Sequence, residues 1–180
     1  ISPIANITAP EKRCGKSILL SAIGRLVLRP LQVSNTGTAA IFRAIDAWQP
    51  TLLIDEADSF LGGNDQLRGI LNAGITRDGA YVLRRVGDNH EPKRFTTWGA
   101  KALCGIGRLA DTLADRSIPL RLRRKLASER VENIRHLPAE LWTRLRRQIA
   151  RWVCDNRALI KSQRPDPVPG LHDRANDIWE

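Results

Sequence analysis

Two kinds of hydrophobic spacing alternate along the first 125 residues of the chain. PIANIT (3–8), TLLI (51–54), KALCGIG (101–107) and SIPLRLRR (117–124) are short β-prone runs. TLLI lacks polar alternation, as in a strand buried on both faces of a parallel sheet, and KALCGIG and SIPLRLRR read as further buried strands. Between them SILLSAIGRLV (17–27), AAIFRAIDAW (39–48, preceded by the cap-rich SNTGT) and residues 65–72 read as helices. AYVLRRV (80–86) and KRFTTW (93–98) are joined by GDNHEP, whose Gly, Asp, Asn and Pro suit a turn, so a hairpin is predicted. Beyond residue 125 the pattern becomes helical. From Pro138, LWTRLRRQIARWV puts Leu141, Leu145, Ile149, Trp152 and Val153 on one face and arginines on the other. RPDPVPG (164–170) then connects to a last helix. The expected fold is α/β: a central parallel sheet flanked by helices over residues 1–125, with a β-hairpin insertion, and a helical region over 126–180 that is incomplete at its end. In such a sheet a ligand sits at the carboxyl ends of the strands.

Two short motifs fall at those ends. APEKRCGKS (9–17) closes like a phosphate-binding loop on Gly15, Lys16 and Ser17, while Pro10 stands where the loop's first glycine is expected. In such a loop, backbone N–H groups and the helix N-terminus hold phosphate, the lysine neutralises charge and the hydroxyl holds Mg²⁺. The second motif is TLLIDEAD. Its buried strand delivers Asp55 toward a metal and Glu56 toward the attacking water, the arrangement called Walker B. Alone, the first reads equally as a basic turn and the second as a strand ending in a solvated acidic turn. In this order and these contexts they predict binding of ATP and Mg²⁺.

Arginines supply the remaining candidates. Arg116, between a short helix and a strand, is placed to act as an arginine finger on a neighbouring subunit; the plainer reading is a salt bridge with Asp115 or Asp111. Arg174, at the start of the last helix, either closes over the phosphates or pairs with Asp177 one turn away. Arg84, Arg85, Lys93 and Arg94 on the hairpin are candidates for nucleic-acid contact through phosphates, against the reading of a solvated hairpin with gatekeeping charges. Arg144, Arg146, Arg147 and Arg151 read as a solvated helix face, and Trp98 and Trp152 as core or interface.

Composition narrows the partners. The 180 residues carry 29 basic against 19 acidic side chains, net +10, which favours a polyanion such as nucleic acid. No apolar run approaches the roughly 20 residues that span a bilayer. A cytoplasmic protein without membrane contact is therefore expected. Cys14, Cys104 and Cys154 are far apart and show neither zinc nor disulfide spacing, so no chemistry is expected of them. The chain opens on an apolar segment and contains no Met, and it reads as an excerpt of a longer protein.

Together APEKRCGKS, PTLLIDEAD, LRGILNAG with TRDGAYVLRRV, CGIGRLADTLADRSIPLRLRR and HDRANDIWE resemble an AAA+-type domain of phage, plasmid and prophage primase-helicase proteins, over nearly the whole chain. A more distant similarity is to the minichromosome maintenance helicases, in which a hairpin precedes the sensor 1 strand and enters a central channel. The resemblance implies a P-loop ATPase with a helical lid, bacterial or phage-encoded, working on single- or double-stranded DNA in a ring of six subunits, with a primase domain in the same protein. It makes Lys16 and Ser17 the Walker A pair, Asp55 and Glu56 the Walker B pair, Arg116 the finger, Arg174 a sensor 2 candidate and residues 81–98 the DNA loop. The strand expected to end in a polar sensor 1 residue ends instead in CGIG. A protein-remodelling ATPase and a nucleotide-gated DNA-binding module with little turnover are the alternative functions.

Overall fold

The structure is a computed structural model that describes residues 1–34 and 36–179. Asn35, within the expected SNTGT cap, and Glu180 lie outside the described residues. Five strands form the central sheet in the order β2-β3-β6-β1-β7, and every pairing in it is parallel. These are β1 (Ile4–Ala9), β2 (Pro30–Val33), β3 (Thr51–Ile54), β6 (Lys101–Ile106) and β7 (Ser117–Arg121). A separate antiparallel hairpin is made by β4 (Tyr81–Val86) and β5 (Glu91–Thr96). The helices are α1 (Lys16–Leu26), α2 (Thr38–Trp48), α3 (Ala57–Leu61), α4 (Asp65–Ala73), α5 (Asp111–Ala114), α6 (Ala139–Ser162) and α7 (Asp173–Trp179).

The strand alternation divides the core into two layers. Ile4, Leu52, Ile54 and Leu103 project to one side and pack with Ile41, Phe42 and Ile45 of α2, Leu67, Ile70 and Leu71 of α4, and Leu113 of α5. Ile7, Leu53, Ala102 and Cys104 project to the other, against Leu20 and Ile23 of α1. Each fully buried Leu or Ile among them contributes about 1.5–3 kcal/mol. Helix α1 lies close on β3: a Cβ added at Gly24 would come within 2.9 Å of Leu53 Cδ1.

Strand β2 and helix α3 were not legible in the pattern. Four residues long and paired only with β3, β2 is an edge strand whose Pro30 needs no N–H partner, and three of its positions are not buried. The hairpin docks through Phe95, whose ring lies 5.0 Å from that of Phe42. Asp46 Oδ1 of α2 also accepts a 2.8 Å hydrogen bond from the Thr96 N–H.

In the helical tail, α6 reaches the core through Trp142, which is buried under the Arg25 guanidinium near the C-terminal end of α1. The expected apolar face is only partly covered: Ile149, Trp152 and Val153 are exposed, so Trp152 is neither core nor covered here. Of that face only Leu141 and Leu145 are half-buried, beside the buried Trp142, which the pattern had not placed on it.

Candidate functional site

Strands β1 and β6 are neighbours, yet the chain leaves their carboxyl ends toward opposite faces, from β1 into α1 and from β6 toward α5. That divergence opens a crevice at the switch point of the sheet, where ligands of open α/β folds bind. The loop 10–15 borders it. Gly15 caps α1 in the left-handed region at φ 83°, and among the described residues nothing lies within 4 Å of a Cβ added there. Backbone conformation, rather than space, is what calls for glycine. Arg13 is left-handed as well, at φ 64°. The Lys16 ammonium donates a 2.9 Å hydrogen bond across the loop to the Glu11 carbonyl. The first-turn N–H groups of α1, with no acidic side chain among them, give this end of the helix its positive character.

Asp55 and Glu56 follow β3, two strands away. Asp55 is half-buried and its Oδ1 accepts a 2.9 Å hydrogen bond from the Glu56 N–H. Glu56 is exposed and left-handed, φ 53°, at the N-cap of α3. A residue with a bulky side chain avoids this conformation, and such strain collects at functional sites. Both carboxylates border a cavity of about 860 Å³ beyond the ends of β2 and β3, shared with Ser34, Gly37, Ser59 and Asn64. Helix α3 is held against β6 by a 3.3 Å bond from the Ile106 N–H to Asp58 Oδ1. A Cβ at Gly105 would lie 2.9 Å from that oxygen, which explains one glycine of the CGIG run.

Cys104, of which the sequence promised nothing, stands in the middle of this group. It is 1% exposed, on the strand between β1 and β3. Burial pushes its thiol up to about 12, aided by the hydrogen bond to and charge of Asp55, while Lys16 and Ser17 pull the other way. The thiol thus stands on the strand between the one that leads into the lysine and hydroxyl and the one that leads into the carboxylate. The only hint of this in the sequence is that Cys104 lies two residues before the end of a buried strand.

The two remaining arginine candidates lie at the opposite edge of the sheet. Arg116 precedes β7, its carbonyl accepting from the Ile4 N–H at the start of β1, and its guanidinium donates to the Thr112 carbonyl at 2.7 Å. Arg174 pairs with Asp115, the residue before Arg116, and His172 Nε2 lies 3.5 Å from the same carboxylate. A strand length therefore separates Arg174 from the loop of its own chain. On the hairpin, the Arg84 guanidinium lies over Phe42, the Lys93 ammonium over Phe95 and the Arg94 guanidinium over Tyr81, at 5.3, 5.1 and 3.7 Å, while Arg85 is exposed.

The fold is thus an α/β one, with a parallel five-stranded sheet between helical layers. A family described as a protein of unknown function (DUF3631) matches residues 121–180, the end of β7 and the helical tail. No curated protein matches the chain. Among the described residues no helix is long and apolar enough to cross a membrane.

Proposed function

We propose that the chain is the ATPase core of an AAA+-type DNA helicase or translocase, active as a ring, with ATP held in the crevice between β1 and β6. The observation that carries this reading is the placement of Lys16 and Ser17 after β1 and of Asp55 after β3, at the same carboxyl edge of the sheet with β6 and its Cys104 between them. Phosphate oxygens meet the first-turn N–H groups of α1 and the Lys16 ammonium. The Ser17 hydroxyl and Asp55 carboxylate are hard oxygen donors of the type Mg²⁺ takes. Bound Mg²⁺ supplies neutralisation of β- and γ-phosphate charge. Glu56 orients a water and accepts its proton as the water oxygen bonds the γ-phosphorus and the β–γ bridging oxygen leaves with ADP.

Arg116, a strand length from its own loop, serves the γ-phosphate of a neighbour in this reading, which requires a closed ring of subunits, taken here as six. Arg174, tied to Asp115 beside it, accompanies Arg116 to that neighbour.

The test is steady-state ATP hydrolysis by the full-length protein with and without single-stranded DNA, beside Lys16→Ala and Glu56→Gln. Stimulation by DNA that both substitutions abolish is expected. Hydrolysis indifferent to DNA would replace the motor with a protein-remodelling ATPase. The run CGIG, whose thiol is the only polar side chain it brings to the crevice, favours a second reading: a nucleotide-gated DNA-binding module, for which ATP binds and is not turned over.

A further inference from the structure

At the amino ends of β2, β3 and β6, on the edge of the sheet away from Lys16, a cavity of about 620 Å³ lies at the base of the hairpin. Three arginines border it, Arg29 before β2, Arg77 after α4 and Arg94 on β5, together with Tyr81, Trp98 and Gln49. One acid, Asp46, shares the lining, and its Oδ1 is committed to the Thr96 N–H. The arginines come from three separate segments that only the fold brings together. The volume falls in the range of about 300–1,000 Å³ typical of small-ligand sites.

Two further observations point to a built site. Arg29 and Gln49 are both left-handed, at φ 49° and 45°, and both border this cavity. Hydrogen bonds from the Thr51 N–H to the Arg29 carbonyl, at 3.0 Å, and from the Gln49 N–H to the Ile45 carbonyl, at 3.0 Å, hold these conformations. At Gln49 this is the ordinary left-handed cap that ends α2, so the strain that marks a clamp lies at Arg29. The second observation is aromatic: the Arg94 guanidinium stacks 3.7 Å from the Tyr81 ring centroid, and Trp98 is half-buried on the cavity wall rather than sealed in the core.

We propose that this cavity binds single-stranded nucleic acid, with phosphodiester oxygens on Arg29 and Arg77 and an unstacked base against Tyr81 and Trp98. Guanidinium groups match phosphate oxygens in pairs, and aromatic faces are open to a base only when it is free of duplex stacking. The site deepens the motor reading and rests on it for the identity of the polyanion. It puts the strand at the hairpin's base, where β3 and β6 begin, rather than at its tip.

The experiment is fluorescence anisotropy of labelled dT20 on the full-length protein over a salt series, for wild type, Arg29→Gln/Arg77→Gln and Tyr81→Leu. All three side chains are exposed, so the variants are expected to fold, which circular dichroism verifies; Arg29→Lys/Arg77→Lys, with charge kept, is expected to retain most of the affinity. The glutamine double variant is expected to bind roughly tenfold more weakly, with the slope of log affinity on log salt reduced by about 0.7 per arginine. Tyr81→Leu is expected to weaken binding about fivefold with the slope unchanged, the mark of lost stacking. Unchanged dT20 affinity in the double variant overturns the site. So does a dT20·dA20 duplex bound as tightly as the single strand, or displacement of dT20 by dTMP at equal phosphate concentration, which would make this a mononucleotide pocket. Hydrolysis without DNA is expected to be the same in wild type and double variant. A wild type that hydrolyses no ATP would sink the motor while leaving these affinities to decide the site, and an unaffected double variant would sink the site while leaving the motor.

Discussion

Arg174 of α7 forms an ion pair with Asp115, the residue that precedes Arg116, and so fastens the last helix to the amino edge of the sheet. Both partners are partly exposed, so the pair contributes at most about 1 kcal/mol. Asp115→Ala is expected to leave the melting temperature within a few degrees of wild type while releasing α7. Limited trypsin digestion checks this: cleavage within residues 161–174 should accelerate several-fold, and an unchanged rate would mean that other contacts hold the helix.

Lys101 is 4% exposed, and its ammonium donates to the Gly74 carbonyl at 2.8 Å and the Gly99 carbonyl at 2.7 Å. Burial lowers it from the ordinary 10.5 to about 8. A neutral amine keeps two N–H donors, so both bonds survive loss of the proton. Below pH 8 the folded and unfolded chains both carry the charge. Between about 8 and 10.5 only the unfolded chain does, and stability rises with pH across that window. Urea melts from pH 7.5 to 10.5 should show this rise in wild type relative to Lys101→Met, which loses about 2 kcal/mol at neutral pH by orphaning two carbonyls.

Gly74 is packed against the same group. A Cβ there would lie 2.2 Å from the Thr97 carbonyl oxygen and 2.6 Å from Lys101 Nζ. Gly74→Ala should therefore cost about 1–3 kcal/mol, the opposite of the gain that a glycine near a helix end ordinarily offers. Equilibrium urea unfolding at neutral pH measures it.

Glu56 carries a left-handed backbone that glycine adopts freely. Glu56→Gly is expected to raise stability by roughly 0.5 kcal/mol while abolishing hydrolysis, an exchange typical of strained functional positions. Glu56→Gln, with the strain kept, should lose hydrolysis and gain no stability. Paired denaturation curves and phosphate-release assays separate the two.

The three thiols should react in a graded order. Cys154 is exposed, Cys14 is partly buried, and Cys104 is buried with its thiol pushed up to about 12. At pH 8 a disulfide reagent such as Ellman's should titrate two groups within minutes and the third only on unfolding. Early modification of all three would mean that the crevice opens far more often than its packing suggests.

The sequence was most informative where local pattern and burial agree. TLLI coincides with β3, residues 65–72 with most of α4, and the turn GDNHEP with a hairpin, although β5 starts at Glu91 and takes in Pro92, which an edge strand tolerates. Gly15, Lys16, Ser17, Asp55 and Glu56 lie at the carboxyl edge that the strand pattern indicated. What local pattern left out depends on the meeting of distant segments. Arg29, Arg77 and Arg94 share a cavity only after the hairpin has docked on Phe42, and Cys104 gains its neighbours only because β6 lies between β1 and β3. Arg174 likewise takes an acid far from its own helix, where periodicity offered only Asp177.

Strand β6 bears Lys101 at one end, bonded to the base of the hairpin, and Cys104 toward the other, against Asp55. It is a rigid rod about 20 Å long, along which the two residues stand about 10 Å apart in different chemical environments. Substitutions this far apart ordinarily add in free energy. A rod cannot shift at one tip alone, so a shear of β6 against β1 would move both environments together. Thiol exposure at Cys104 would then report on a strand captured beside Gly99.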